Sequence, residues 1–229
     1  MLILQIETAT AVCSVALSDA GKTIHHIDID EPNVHASKLT RLVEKVMAET
    51  ESSLSSLDAI AVSKGPGSYT GLRIGVSSAK GLCYGLEIPL IAIDSLYSLA
   101  HGYQKFHRSL SPETLLYPMI DARRREVYTA VYDSSLTLKV PTRAEVIGDD
   151  FFNDISETNS VVLFGDGADK FSDIFSSKDQ ISVVNGFRQS ADYLSEPAFQ
   201  AFEQSDFEDV AYFEPFYLKD FVPLKSKKK

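Results

Sequence analysis

A hydrolase that activates water with a metal ion needs imidazoles and carboxylates at spacings that converge on one point. The histidines of this chain are His25, His26, His35, His101 and His107, and no pair of them stands in an HxxxH or HExxH arrangement. His35 opens an amphipathic stretch, but the residue one turn on is Leu39, so that helix face lacks a second ligand. A serine nucleophile on a strand-to-helix elbow reads GxSxG; Ser68 has Pro66 two residues before it and Thr70 two after. Ser77 and Lys80 keep the SxxK spacing without SDN or KTG boxes, which makes Lys80 a surface lysine. No catalytic set is complete.

The least ordinary stretch is Gly65-Pro66-Gly67-Ser68-Tyr69-Thr70-Gly71, between an apolar strand and a helix. A dinucleotide fingerprint would need its third glycine where Thr70 stands. No Gly-Lys-Ser or Gly-Lys-Thr follows a glycine at P-loop spacing. Two readings stay open. Ser68 or Thr70 caps the helix and nothing more, or the free N–H groups at its positive end accept an anion or a carbonyl oxygen. The helix that follows carries Gly75 and Gly81 in its interior, each costing about 1 kcal/mol against alanine. Gly71, Gly75 and Ser78 lie at i, i+4 and i+7 and form a groove of small residues where another backbone can come close. Spacing does not decide whether that backbone belongs to this chain or to a second one.

Asp121-Ala122-Arg123-Arg124-Arg125-Glu126 is a knot of cations between two strands. It is either a turn whose acids and arginines pair internally, or an anion or partner site built from arginine forks.

The elements that must position these residues follow from periodicity. Residues 2–7, 12–17 and 22–29 are Ile-, Leu- and Val-rich runs joined by tight turns, so they form an antiparallel meander. Leu39, Leu42, Val43, Val46 and Met47 then repeat at three and four, one apolar stripe on a helix. Strands at 57–63 and 89–93 alternate with helices from the glycine-rich turn to about residue 85 and from 95 to 106. The order is βββ-α-β-α-β-α. A second strand-rich section begins at 115–121 and 126–132. It continues through 161–164, the Gly165-Asp166-Gly167 turn and a helix from Ala168. Residues 190–204 are helical, with Pro197 bending or ending the helix.

The chain has 229 residues, 44% of them hydrophobic, with 22 Lys plus Arg against 32 Asp plus Glu and a net charge of −10. That balance argues against a protein that grips nucleic acid or an anionic membrane unaided, and it leaves the terminal Lys225 to Lys229 run a solvated tail. Cys13 and Cys83 cannot build a disulfide framework or a four-cysteine metal site, which suits a reducing cytoplasm. The opening run has no basic leader, and Gln5 and Glu7 interrupt it well short of the roughly 18 apolar residues of a span.

Taken together, LILQIETATAVCSVAL, GPGSYTGLRIGVSSAKGL, DARRREVY and EPFYLKDF resemble, in this order, the motifs of the TsaB (YeaZ) family from end to end of the chain. The resemblance implies an α/β, actin-like ATPase (ASKHA, ribonuclease H-like) fold. Two related subdomains, residues 1–104 and 105–229, would each carry a βββαβαβα-type mixed sheet, with the last ~20 residues packing back on the first. It implies a noncatalytic subunit that pairs with a TsaD-like paralogue and a TsaE-like ATPase. Together these transfer a threonylcarbamoyl group to the adenosine beside the anticodon of tRNAs reading codons that begin with A. ATP and metal would belong to the partners, and tRNA would be met only through the complex. The two helices of the first subdomain would pack on their counterparts in the partner, or in a second copy, as a four-helix bundle, which carries Leu39, Leu42, Val43, Val46, Gly71, Gly75 and Ser78 to the interface. The Gly165-Asp166-Gly167 turn resembles the position where kinase relatives hold adenosine, so Gly165 and Gly167 join Gly65, Gly67 and Ser68 of the helix start as candidate contacts for a nucleotide or anion. Glu7 departs from the aspartate common at its position. The alternatives are a stand-alone metallopeptidase or a small-molecule kinase.

Overall fold

The computed structural model describes residues 1–107, 109–153, 160–175 and 178–219. The first three apolar runs form the meander: β1 (Leu2–Glu7), β2 (Val12–Asp19) and β3 (Lys22–Asp30). β2 turns into β3 through Ala20 and Gly21, both at positive φ, the backbone that lets a two-residue turn follow the strand twist. After α1 (His35–Glu49), β4 (Ala59–Gly65) returns parallel to β1; after α2 (Tyr69–Leu86), β5 (Leu90–Asp94) lies parallel to β4. The sheet order is β3-β2-β1-β4-β5.

The second half repeats this plan. β6 (Thr114–Asp121), β7 (Glu126–Asp133) and β8 (Leu138–Val146) form a meander, β9 (Ser160–Phe164) lies parallel to β6, and β10 (Ile181–Val184) parallel to β9, in the order β10-β9-β6-β7-β8. The repeat is in geometry rather than letters: Gly65 closes β4 and Gly165 directly follows its equivalent β9, at φ +111° and +103°. β8 and β10 escape a reading by composition, because β8 contains Pro141 and charged residues at an edge and β10 has only four residues. The helix expected from Ala168 is a 3-10 turn followed by the single turn α4 (Ser172–Phe175). Pro197 neither bends nor ends α5 (Ser195–Glu203). It sits in the first turn, where its missing N–H has no intrahelical partner to lose.

Helices are exchanged between the sheets. α3 (Ser95–Phe106) follows β5 in the chain, yet Leu96, Leu99 and Tyr103 pack with Leu116, Ile120 and Phe164 of the second sheet. α5 comes from the second half and covers Ile3, Ala59 and Ile91 of the first with Ala198. The opposite face of the first sheet is covered by α1 and α2. Leu39, Leu42, Val43 and Val46 are at most 7% exposed and join Leu4, Val15 and Val62 in that core. This corrects their assignment to a partner surface: one apolar stripe on a helix is used once, and here its own sheet uses it.

The end of the described chain packs back on the first half. Glu208 N–H donates to Leu90 O at 2.9 Å, Lys80 Nζ to Phe213 O at 2.8 Å, and Phe216 N–H to Lys64 O at 2.7 Å. Residues 225–229, the lysine-rich run, lie outside the described residues.

Candidate functional site: the cleft between the two sheets

The glycines of α2 and the turn before it serve the β1–β2 connection. Added to Gly67, Gly71 or Gly75, a Cβ would stand 2.2 Å from Ala9 O, 2.1 Å from Thr8 O and 2.1 Å from Thr8 Oγ1 respectively. The three positions are spaced by four, so one side of the helix start forms a seat for the backbone of Thr8 and Ala9. Ser68 N–H donates to Ala9 O at 2.6 Å, and Ser68 Oγ accepts from Gly71 N–H at 3.2 Å. The capped-turn reading of Ser68 holds, and Ser68→Ala is expected to cost about 1 kcal/mol, read as a shift in the urea midpoint. The groove of Gly71 and Gly75 is filled by this chain's own Thr8 and is not open to a partner; Ser78, one turn on, is half-buried.

The seated turn borders a cleft of about 680 Å³. Thr10, Gly67, Ser68 and Thr70 from the first half line it, with Asp121, Arg123 and Asp166 from the second and Tyr217 and Lys219 from the end of the described chain. Of the residues expected to meet a nucleotide or anion, the structure brings Gly67 and Ser68 to the cleft. Gly65 is covered by Phe216, whose carbonyl oxygen would lie 2.5 Å from an added Cβ. Gly165 and Gly167 pack on the backbone of Met119 and Ile120 and so present Asp166 to the cleft in their place. Burial pushes the Asp166 carboxyl up to about 6, opposed by the N–H of Asp121.

Behind the turn, Glu7 ends β1 fully buried. Its Oε1 accepts from Ala9 N–H at 2.5 Å and Ser63 Oγ at 2.9 Å, and its Oε2 from Gln189 Nε2 at 3.3 Å. Gln189 also donates to Ser95 O at 2.8 Å, tying the second half to the start of α3. Burial raises the Glu7 carboxyl to about 7, ahead of the hydrogen bonds that oppose it. Both oxygens face donors of this chain, and the group has no exposed surface. Among the described residues no three His, Cys, Asp or Glu side chains are grouped to hold a metal. His35 is buried, with Nε2 3.1 Å from Val12 O.

The arginine knot is not internally paired. Asp121 is held by Lys170 Nζ at 2.6 Å, Glu126 by Lys219, and Arg125 turns to Asp149. Sequence reasoning missed Lys170, Lys219 and Gln189 because each reaches its partner across more than forty residues of chain and no local pattern marks it. The Tyr217 contact was equally hidden: its ring lies 4.8 Å from that of Tyr69, and Arg73, whose guanidinium stands 4.1 Å over the Tyr69 ring, donates from Nε to Tyr217 Oη at 3.3 Å.

Two five-stranded mixed sheets of one plan, facing across a cleft bounded by their first hairpins, define the actin-like ATPase fold. A family model described as "TsaD: tRNA N6-adenosine threonylcarbamoyltransferase" matches residues 32–159. The protein named tRNA threonylcarbamoyladenosine biosynthesis protein TsaB of Escherichia coli is 38% identical over 132 residues, 58% of this chain and 55% of that protein. Its namesake in Bacillus subtilis is 33% identical over 166 residues, 72% of this chain and 70% of that one. A crystal structure from Pseudomonas aeruginosa, described as similar to peptidase YEAZ, superposes with a TM-score of 0.77 at 26% identity, covering 95% of this chain and 99% of the other. The chain belongs to the TsaB (YeaZ) family. The match spans about half the length of the Escherichia coli relative.

Proposed function

We propose that this chain is a noncatalytic subunit of a tRNA threonylcarbamoyl-transfer assembly. It pairs with a TsaD-like paralogue, engages a TsaE-like ATPase, and meets tRNA only within the complex. ATP and the metal are held by those partners, and the setting is the cytoplasm; no helix among the described residues is long and apolar enough to cross a membrane. At rest the chain associates with a second copy through the same helices. The engagement of both Glu7 oxygens within the chain supports a role without catalysis of its own.

The observation that carries the reading is the outward side of α2. Thr70 and Ser77 are exposed, Ile74 is half-buried, and an added Cβ at Gly81 or Gly85 would meet nothing within 4 Å. Thr8 accounts for Gly75, but nothing among the described residues accounts for Gly81, which costs about 1 kcal/mol in a helix interior. A second helix packed on this crest does, since small residues let two axes approach closely. The docking surface is therefore the crest, not the core-facing stripe of α1.

Light scattering on a sizing column tests this, with the chain alone and then mixed with the TsaD-like protein of the same genome. A one-to-one complex is expected to replace the monomer or homodimer. Gly81→Arg is expected to keep the fold and weaken the complex by about 2 kcal/mol, roughly thirtyfold. No complex with the unaltered chain, even with nucleotide and the TsaE-like ATPase present, would reject the proposal.

A further inference from the structure

We infer that the tip of the β6–β7 hairpin, Arg123 with Arg124, is a contact for the phosphodiester backbone of RNA. The inference rests on the function proposed above and adds to it a site on this chain. Both arginines are exposed, and among the described residues neither guanidinium has an ion pair or hydrogen bond. The acids that would quench them are occupied: Asp121 by Lys170, and Glu126 by Lys219. Lys170 also donates to Arg124 O at 2.9 Å and Glu126 O at 3.0 Å, so a lysine holds the turn from inside while the arginines face out.

The backbone adds a second observation. Arg123 and Arg124 sit consecutively at φ +74° and +55°, a left-handed conformation that disfavours side-chain-bearing residues and collects at functional sites. A turn needing only to reverse direction would take Asn-Gly there. Each guanidinium fork matches the two free oxygens of a phosphodiester, and Arg123 shares its cleft with the start of α2, whose dipole also favours an anion. A ligand with a dense triphosphate fits less well, because Asp121 and Asp166 line the same cleft. In a chain of net charge −10, two unquenched arginines give a local contact of a few phosphates, with the partners supplying the rest.

The test is the anisotropy of labelled tRNA with the assembled full-length proteins across a salt series. The Arg123→Gln/Arg124→Gln pair is expected to weaken binding about tenfold near 0.1 M salt. It should also lower the slope of log affinity against log salt by about 1 to 2. Arg123→Lys/Arg124→Lys should keep the slope, and Lys22→Gln, an exposed cation elsewhere, should change neither. Unaltered affinity and slope in the glutamine pair would overturn the inference alone. Failure of the unaltered assembly to bind tRNA would overturn the proposed function together with it. Two further outcomes also overturn it: the glutamine pair failing to assemble, which would make the tip a protein contact, or losing AMP binding while keeping tRNA, which would make it a free-nucleotide site.

Discussion

Gly71→Ala is expected to lower the stability of the chain by about 3 kcal/mol or more, whereas Gly81→Ala, ten residues along the same helix, should raise it by roughly 0.5 to 1 kcal/mol. The opposite signs come from what each new methyl meets. At Gly71 it would stand 2.1 Å from the carbonyl oxygen of Thr8, a backbone atom that cannot turn away. The β1–β2 connection would have to lift out of its seat, taking the Glu7 to Ala9 hydrogen bond with it. At Gly81 the methyl meets nothing within 4 Å among the described residues, so in the separated chain only the helix preference for alanine is felt. Gly75→Leu, which the groove reading would expect to leave the monomer folded, meets Thr8 Oγ1 at 2.1 Å and should be at least as damaging as Gly71→Ala. Against a total of about 5 to 15 kcal/mol for a domain, such losses are large. Urea midpoints at one pH measure all three, and a Gly71→Ala chain as stable as its parent would mean that Thr8 and Ala9 are not seated as described.

The second large effect is a dependence on pH. The Glu7 carboxyl titrates near 7 in the fold against 4.5 as the ordinary value. Between those values the folded chain keeps a proton that the unfolded chain has released, so folding is favoured at the acid end. The contribution is fully present below pH 4.5 and is lost as pH rises through 7. It amounts to about 3 kcal/mol. Glu7→Gln should abolish this slope. An amide retains an oxygen for Ala9 N–H and Ser63 but sacrifices the contact with Gln189, so the variant should be about 2 kcal/mol more stable than its parent at pH 8. Asp166, raised for the same reason to about 6, acts in both proteins and cancels in the difference. Parallel urea midpoints for parent and variant from pH 5 to 8 would show that Glu7 is already ionised in the fold.

Much of the architecture was legible because it rests on period. The three- and four-residue spacing of Leu39 to Met47 could only be a helix, and the meander followed from short polar turns between Ile- and Val-rich runs. What that spacing could not say was which surface the stripe met. An apolar face reads the same whether its own sheet or a partner covers it, and the resemblance to a partner-binding family drew Leu39, Leu42, Val43 and Val46 to the wrong side of α1. The glycines posed the same ambiguity more sharply. Gly75 and Gly81 are identical as letters, yet one is filled by Thr8 from across the chain and the other is open. The arginine knot was visible, but whether it was quenched depended on Lys170 and Lys219, and pairing over such distances leaves no mark in local sequence.

The exchange of helices between the sheets bears on how the chain is made. A ribosome delivers β1, β4 and β5 early, but the helix that shields Ile3, Ala59 and Ile91 is α5, and Ala198 emerges about a hundred residues after Ile91. At roughly 5 to 20 residues per second, that face stays bare for several seconds or more of synthesis, an open apolar surface of the kind that recruits chaperones or neighbouring chains. α3 emerges with the first sheet and must wait for the second before Leu96 and Leu99 find their partners. The nascent first half is therefore a holding state rather than a finished lobe, and the two halves reach their native cores together.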